Sequence, residues 1–414
     1  MLDDAYVSSL NTPSELTPVD EHRAKVAALL RRTPVETRPL ADCLGLALAT
    51  DLVAPISLPS FDNSAMDGYA VRSVDLTEAS AEQPVELPVA EDIPAGRVDV
   101  PPLQPGTAHR IMTGAQLPPG ADAVLPVERT DGGTDKVRMF AGVQPGKHLR
   151  RAGEDVAHGT TVLTAGTRLG AAQLGVAAAV GAAELPVHRA PRVLVLSTGS
   201  ELVAPGEPLQ PGQIYESNGL MLSAAVREAG GEPTLLRFVP DDVEAFHAVL
   251  AEHVASADLL LTSGGVSAGA YEVVKDALQG NGVEFSKVAM QPGMPQGCGR
   301  YRDAFAVVTL PGNPVSSMVS FEVFVRPAML AAAGHADTTR TVKQAALAEP
   351  LTAPAGKQQF RRGIYDPDSG SVSLQGAPGS HLLGSLAKAN CLLTIREDIT
   401  ELATGSIVDV MLLD

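Results

Sequence analysis

Residues 259–276, LLLTSGGVSAGAYEVVKD, combine an apolar run, a turn of small residues and a segment with helical spacing. A buried strand that ends in glycines and leads into a helix is typical of a parallel α/β sheet. The same letters match G-x-S-x-G, the nucleophile elbow of α/β hydrolases, at Gly265, Ser267 and Gly269. The stretch therefore predicts an α/β fold and leaves Ser267 as a nucleophile or as a ligand donor and helix cap.

The hydrolase interpretation of Ser267 requires an acid and then a histidine later in the chain. His335 and His381 follow it, but neither lies in a predicted strand-end loop of the same sheet. Ser267 also comes two residues after the Gly-Gly turn, whereas an elbow serine occupies the tip of the strand. We therefore favour the ligand donor or helix cap.

The pattern of apolar residues, Pro and Gly around this stretch divides the chain into regions of different predicted secondary structure. From residue 191, apolar runs such as RVLVLST (192–198) and AFAVVTL (304–310) alternate with helical segments such as DDVEAFHAVLAEHV (241–254). This alternation predicts a parallel, mostly buried sheet with helices on both faces. Short Val/Leu runs between Pro and Gly clusters predict irregular β-rich structure over 35–190, and a similar pattern predicts β structure again after about 340.

Composition excludes several classes of protein. The 414 residues carry 31 basic and 48 acidic side chains, a net charge of −17, which argues against nucleic-acid binding. The three cysteines are far apart and form no C-x-x-C pair, so neither a disulfide framework nor a cysteine zinc site is predicted. The start lacks an apolar signal region and no window approaches 18 apolar residues, so we expect a cytoplasmic protein.

Three strand ends carry the residues that indicate a binding site: LSTGSEL (196–202), LTSGGVSAG (261–269) and LPGNPVSS (310–317). Ligands of open parallel sheets bind outside the carboxyl ends of the strands, where backbone N–H groups and helix N-termini meet. Glycine alone is a weak signal, because sharp turns also need it. Pro311 and Pro314 bracket Gly312-Asn313 and stiffen that turn, as a ligand platform or simply as a rigid loop.

The β-rich part contains a second group of polar residues. SFDNSAMDGYAV (60–71) is dense in carboxylates and amides, and Thr113 follows an apolar run. Arg150 and Arg151 precede Glu154 and Asp155, which fits phosphate contacts beside a metal-binding carboxylate or, more commonly, a solvated salt-bridge cluster.

Taken together, eight segments resemble a known family: FDNSAMDGYAV, RIMTGAQLP, RRAGEDV, LSTGSELV, QIYESNG, SGGVSAG, LPGNPVSS and GSHLLGSLAKANC. In order and spacing they are similar to the molybdopterin molybdenumtransferases, bacterial MoeA and the E domain of gephyrin, over essentially the whole chain. The resemblance implies a multidomain α/β plus β protein, an elongated homodimer of four-domain subunits. These are a molybdopterin-binding-like α/β domain (15–34 and 191–339), a β-rich linker domain (35–53 and 160–190), a β-rich inserted domain that contributes to the partner subunit's site (54–159) and a C-terminal β-barrel (340–414).

The resemblance also implies a reaction, in which molybdate is joined to adenylylated molybdopterin with release of AMP and with Mg²⁺ or another divalent cation. The resemblance further implies that no acyl-enzyme is involved and that the loop around Ser267 cradles ligand. Carried over by motif, the catalytic residues are Asp67 and Thr113 from one subunit and Glu201, Asp241 and Glu272 from the other. The implied metal ligands are Asp155, Glu201 and Asp241. The implied substrate-binding residues are Asn218, Gly264, Gly265, Ser267, Lys287, Pro311, Gly312, Asn313, Pro314, Arg362 and Ser380.

This sequence departs from the family pattern in two places. Glu272 stands where the family has the aspartate of DYTK, and QPGMP (291–295) replaces KPGKP, which removes two positive charges from an expected oxyanion site. Lys275, Lys287 and Arg300 are candidates to compensate. The alternative function is a gephyrin-like dimeric scaffold that links a membrane-receptor peptide to the bacterial tubulin homologue.

Overall fold

The computed structural model describes residues 16–199, 201–236, 243–253, 256–264 and 273–413. Four of the predicted site residues, Asp241, Gly265, Ser267 and Glu272, lie outside these ranges. Helix α1 (Val19–Leu29) opens the described chain and buries Val26 against the α/β domain.

The segments on either side of the inserted region pair with each other. Strand β1 (Val35–Pro39) runs antiparallel to β11 (Glu184–His188), β2 (Leu52–Val53) pairs with β10 (Thr161–Leu163), and helix α2 (Ala171–Ala179) packs beside them. Cys43, Leu48, Leu169 and Leu185 form the small core of this unit.

The inserted region is a five-stranded sheet in the order β7, β4, β6, β5, β8. Its strands are β4 (Gly68–Val71), β5 (Val85–Ile93), β6 (Ala108–Ile111), β7 (Ala123–Pro126) and β8 (Lys136–Met139), and the short β3 (Asn63–Ser64) pairs separately with β9 (Leu149–Arg150). A Cβ on Gly68 would lie 2.1 Å from the carbonyl oxygen of Leu125 on β7, so only glycine permits this close pairing. This fixes the start of β4, immediately after Asp67.

The α/β domain contains a six-stranded sheet in the order β15, β12, β16, β20, β19, β17. Strands β12 (Arg192–Ser197), β15 (Glu232–Leu236), β16 (Leu259–Ser263) and β20 (Phe305–Leu310) are parallel, as predicted. The prediction missed β19 (Pro295–Tyr301), which is antiparallel to both β20 and β17 (Val283–Lys287). The sheet is therefore mixed, because Gly297 and Gly299 give β19 no apolar run for sequence analysis to detect.

Both faces of this sheet are covered, because successive residues of one strand enter different cores. Val193 and Val195 of β12 belong to one core, whereas Leu194 and Leu196 belong to the other. The helices of this domain are α3 (Asn218–Glu228), α4 (Val243–His253), α5 (Val273–Leu278), α6 (Pro314–Ser320) and α7 (Arg326–Ala332), and a π-helical segment at Phe321–Val325 joins the last two. A small parallel pair, β13 (Leu202–Val203) and β14 (Ile214–Tyr215), lies in the loop that precedes α3.

The helix Pro314–Ala332 bears on the expectation that no window approaches 18 apolar residues. It has 19 residues and a mean hydropathy of 1.3, so by length and composition it is the one helix of the described residues that could cross a membrane. However, 78% of it is buried inside the protein, and Phe321 and Phe324 are fully covered by the α/β core. These features are those of a core helix.

The C-terminal region forms a closed five-stranded barrel, as predicted. Its strands are β21 (Val342–Leu347), β23 (Gln358–Asp366), β24 (Ser371–Leu374), β25 (Cys391–Ile395) and β27 (Ile407–Leu412), and the ring closes where β25 pairs with β23. The flanking elements are the pair β22 (Leu351–Thr352) and β26 (Glu401–Leu402) and the short helix α8 (Leu383–Leu386). Strand β18 (Met290–Gln291) joins the barrel parallel to β23, which places the QPGMP segment against it.

Candidate functional site

Asn218 connects the ends of two neighbouring strands. Its side-chain amide, at the start of α3, donates to Ser263 Oγ at 2.8 Å and to the carbonyl oxygen of Gly312 at 2.6 Å. Ser263 ends β16 and Gly312 follows β20, so one side chain fixes both turns. The structure thus brings Asn218 and the Pro311-Gly312 turn together at the predicted edge of the sheet.

A chain of buried hydroxyl groups continues from Asn218. Ser317 Oγ donates to the carbonyl oxygen of Pro311 at 2.6 Å and lies 3.0 Å from Ser263 Oγ. Since the single hydroxyl proton of Ser317 is used by Pro311, Ser263 must donate to Ser317. Linked hydrogen bonds of this kind polarise one another and stiffen the site. Sequence analysis missed Ser263 and Ser317, although a polar residue at the last position of a buried strand was a usable signal.

Gly264 has a conformation that requires glycine. Its φ is +96°, and an added Cβ would lie 3.1 Å from the carbonyl oxygen of Thr198. An added Cβ on Gly312 would lie 3.5 Å from Gly264 Cα, so the two turns pack backbone against backbone. The glycines that sequence analysis treated as a weak signal here hold two strand ends in contact.

Fewer backbone N–H groups are free at these strand ends than the sequence predicted. The amide of Gly264 donates to Leu310 at 3.0 Å, and the amide of Val315, in the first turn of α6, donates to the carbonyl oxygen of Ser380 at 3.1 Å. The amides of Gly312 and Asn313 make no hydrogen bond with the part of the chain that the structure describes. Two adjacent donors, rather than an open helix N-terminus, are therefore available at this turn.

A loop of the barrel covers the start of α6. The side-chain amide of Asn313 donates to Ser380 Oγ at 3.0 Å, beside the bond from Val315. Arg362 on β23 is 6% exposed and donates to the carbonyl oxygens of Ala377 and Gly379, which anchors this loop. Burial lowers the pKa of Arg362, and neighbouring Arg361 lowers it further. Two nitrogens of Arg362 thus organise the loop that carries Ser380.

Asp67 and Thr113 form a second group on the inserted sheet. Asp67 Oδ1 accepts from the backbone N–H of Thr113 at 2.6 Å and from its hydroxyl at 2.7 Å. These two bonds, the backbone one first, lower the pKa of Asp67, so the carboxylate is charged at neutral pH. Both side chains are exposed. Asp67 and Thr113 are therefore in direct contact, and their catalytic role stays a prediction.

The arginine cluster favours the salt-bridge interpretation. Arg151 lies 2.6 Å from Asp62 Oδ2, and Asp62 Oδ1 accepts from the amide of Ala152 at 2.8 Å. Glu154 accepts from the amide of Arg151 at 2.8 Å. The guanidinium of Arg151 is thus already paired, whereas Asp155 is exposed beside it.

The two predicted metal ligands that the structure describes, Asp155 and Glu201, belong to no cluster of metal-binding side chains among the described residues. Among the described residues, no three His, Cys, Asp or Glu side chains are placed to hold a metal ion. The side chain of Glu201 lies against Gly199, because an added Cβ on Gly199 would lie 2.6 Å from Glu201 Oε2. Asp155 belongs to a different region of the chain, and Asp241 is not described.

Two glutamine side chains contact the segment QPGMP. Gln359 on β23 donates to Gln291 Oε1 at 3.2 Å, and Gln296 donates to the carbonyl oxygen of Gly293 at 2.6 Å. Arg300 donates to the carbonyl oxygens of Leu29, Asp303 and Ala304. Arg300 is therefore committed elsewhere and does not replace the missing lysines, whereas Lys287 is exposed at the end of β17.

Comparisons with known proteins agree with this architecture. Three family models match in succession: the MoeA N-terminal region (domains I and II) over residues 17–181, a probable molybdopterin-binding domain over 194–331 and the MoeA C-terminal region (domain IV) over 344–413. The fold and site define a multidomain protein built around a molybdopterin-binding type of α/β domain.

Individual relatives match over nearly their whole length. Molybdopterin molybdenumtransferase 2 of Mycobacterium tuberculosis is 58% identical over 94% of this chain and 97% of the relative, and the Bacillus subtilis molybdopterin molybdenumtransferase is 34% identical over 96% and 94%. The crystal structure of the molybdopterin biosynthesis MoeA protein from Pyrococcus horikoshii superposes with a TM-score of 0.81 at 30% identity, covering 96% of this chain and all of that one. The chain belongs to the MoeA family of molybdopterin molybdenumtransferases.

Proposed function

We propose that this protein is a molybdopterin molybdenumtransferase of molybdenum cofactor biosynthesis, which inserts molybdate into adenylylated molybdopterin and releases AMP. The observation that carries this proposal is the 58% identity over 94% of the chain to a relative of that name. The junction around Asn218 and the Asp67–Thr113 pair support it, since they supply the donors and the charged carboxylate that such a reaction uses.

Each group has a distinct task in this reaction. The free amides of Gly312 and Asn313 donate to substrate oxyanions, and the buried hydroxyl chain keeps their turn in place. Ser380 faces the substrate from the barrel side, Arg362 holds the loop that carries it, and Lys287 is a further cation. Asp67, oriented by Thr113, presents a fixed negative charge to the partner subunit's site.

A divalent cation, Mg²⁺ in our proposal, would be held by Glu201, with Asp155 and Asp241 as the other expected ligands. Mg²⁺ commonly binds one or two protein carboxylates together with substrate phosphates, so a cluster of three protein ligands in one chain is not required. Bound there, it would neutralise phosphate charge.

We further propose that the protein acts in the cytoplasm as a homodimer, with the four-domain division given above. A scaffold linking a membrane receptor to a tubulin homologue receives no support from the relatives or from the described residues.

A mixing experiment tests the reaction and the shared site together. Asp67→Asn and Asn218→Ala are each prepared, mixed at equal amounts after dissociation, and assayed for AMP release and cofactor formation with adenylylated molybdopterin, molybdate and Mg²⁺. If each site uses Asp67 of one subunit and Asn218 of the other, the mixture regains about one quarter of wild-type activity, since half of the dimers contain one intact site of two.

The controls separate the possible failures. Each single variant must remain dimeric and fold like the wild type. No recovery on mixing would show that each site is complete within one subunit. No AMP release by the wild type at high molybdate would overturn the proposed function.

A further inference from the structure

A crevice opens beside the site, at the carboxyl ends of β12 and β15. Its volume is about 80 Å³, enough for part of a ligand rather than for a whole cofactor. Most of the described residues that line it are apolar, and the polar ones are Ser197 and Glu216; the apolar walls include Pro205, Leu220, Leu235 and Leu236.

Ser197 ends β12 and lacks a hydrogen-bond partner. It is 4% exposed, and its hydroxyl makes no hydrogen bond with the described part of the chain. A buried hydroxyl without a hydrogen-bond partner destabilises the empty site, so a ligand that pairs with it gains affinity. Ser197 is also the register partner of Ser263 on β16, which Asn218 contacts. The crevice therefore adjoins the junction described above.

Glu216 brings a carboxylate to the same crevice. Its Oε1 accepts from the amide of Gly219 at 2.6 Å, which caps the start of α3, while its Oε2 has no partner among the described residues. A Cβ on Gly219 would lie 3.1 Å from both Glu216 Oε2 and Ser197 Oγ. The two polar atoms therefore flank Gly219, and the Cδ1 of Leu235 lies beside them, 2.7 Å from the same added Cβ.

We propose that this crevice binds the pterin ring of the substrate, with Glu216 and Ser197 recognising its polar edge. The apolar walls suit a flat heteroaromatic ring. The 2-amino-4-oxo edge of a pterin presents adjacent N–H donors, which a carboxylate accepts as a pair. Adenine instead presents a donor next to a ring-nitrogen acceptor, whose lone pair would face the carboxylate. The crevice thus selects the pterin over the adenine of an adenylylated molybdopterin. This assignment rests on the function proposed above.

The test uses 2-amino-4-oxopteridine and AMP as separate probes with the full-length protein. Glu216→Gln retains an oxygen to accept from Gly219 and loses the charge, so the helix cap is preserved. Glu207→Gln, an exposed position of the same loop, is the matched control. We expect Glu216→Gln to weaken pteridine binding about tenfold or more and Ser197→Ala about threefold to tenfold. AMP affinity and the Glu207→Gln variant should be unchanged.

The outcomes distinguish this proposal from the function. Weakened AMP binding with unchanged pteridine binding would assign the crevice to adenine and overturn the proposal, as would a wild type that fails to bind the pteridine at millimolar concentration. Molybdenum transfer with an unchanged KM for adenylylated molybdopterin in Glu216→Gln would overturn the crevice assignment and leave the function intact. Pteridine binding that depends on Glu216, without any molybdenum transfer, would support the crevice assignment and overturn the proposed function.

Discussion

Acid should destabilise this protein through His22, a buried histidine without a hydrogen-bond partner. His22 lies on α1, is 1% exposed, and packs edge-on against Phe324 with 4.8 Å between ring centroids. Neither ring nitrogen has a hydrogen-bond partner among the described residues. Burial first, and then the charge of Lys25, lower the pKa of His22 to about 4, against the opposing effect of Glu21.

The sign and size follow from linkage between protonation and folding. A histidine whose folded-state pKa is lowered contributes full stability above its unfolded pKa of about 6.5 and loses it as the pH falls towards the folded value. With a folded value of about 4, the loss between pH 7 and pH 5 is about 2 kcal/mol. His335 also has a pKa of about 4, which is lowered by burial and then by the charges of Arg168, Arg326, His188 and Arg32. The wild type should therefore lose more stability on acidification than His22 alone explains.

Urea unfolding at pH 7, 6 and 5, followed by far-UV circular dichroism because the chain has no Trp, measures this loss. His22→Leu removes the titrating group, and we expect this variant to lose about 2 kcal/mol less than the wild type over this range. His158→Gln, at an exposed position, is the control and should follow the wild type. Equal losses in the wild type and in His22→Leu would refute the reasoning.

Three further substitutions test the site. Asp67→Asn should lower the rate of AMP release at least about a hundredfold and leave the melting temperature unchanged, because the side chain is exposed; an unaltered rate would remove Asp67 from the reaction. Gly264→Ala should cost about 1–3 kcal/mol in urea unfolding, since φ is +96° and the new Cβ approaches Thr198; Gly384→Ala, an open position, is its control. Ser317→Ala should cost about 1–3 kcal/mol, because it leaves the Ser263 hydroxyl and the Pro311 carbonyl unpaired, and it should raise the KM for substrate; a stability equal to wild type would mean that the hydroxyl chain is not needed.

The parts of the fold that sequence predicted are those with strong hydrophobic patterning. The runs at 192–198, 259–263 and 304–310 gave three parallel strands, and the Pro/Asp/Ser/Gly turn after Tyr365 gave the hairpin of β23 and β24. Sequence analysis missed strand β19 because its glycines interrupt any alternating hydrophobic pattern. Those glycines are needed, since a Cβ on Gly299 would lie 2.0 Å from the carbonyl oxygen of Gly282.

The site was harder to predict than the fold because its hydrogen bonds connect residues far apart in the chain. Asp67 and Thr113 are 46 positions apart, and Asn218 and Gly312 are 94 apart. Motifs identified these residues individually, and LSTGSEL includes Ser197, but the sequence does not show that its hydroxyl has no hydrogen-bond partner among the described residues. Likewise, the amide of Val315 looked available from the sequence and is taken by a loop of another domain.

The neutral QPGMP segment changes how an oxyanion must be held in this protein. Arg300 is used by three backbone carbonyls, and two nitrogens of Arg362 are used by the barrel loop. The remaining candidates among the described residues are Lys275, Lys287 and the two free amides of Gly312 and Asn313. A charge-assisted contact is worth about 1.5–3 kcal/mol, and a neutral amide contact about half as much. Capture of molybdate should therefore rest more on fixed backbone dipoles than on cations, and the rigidity that Asn218, Ser263 and Ser317 give to that turn becomes a requirement of binding.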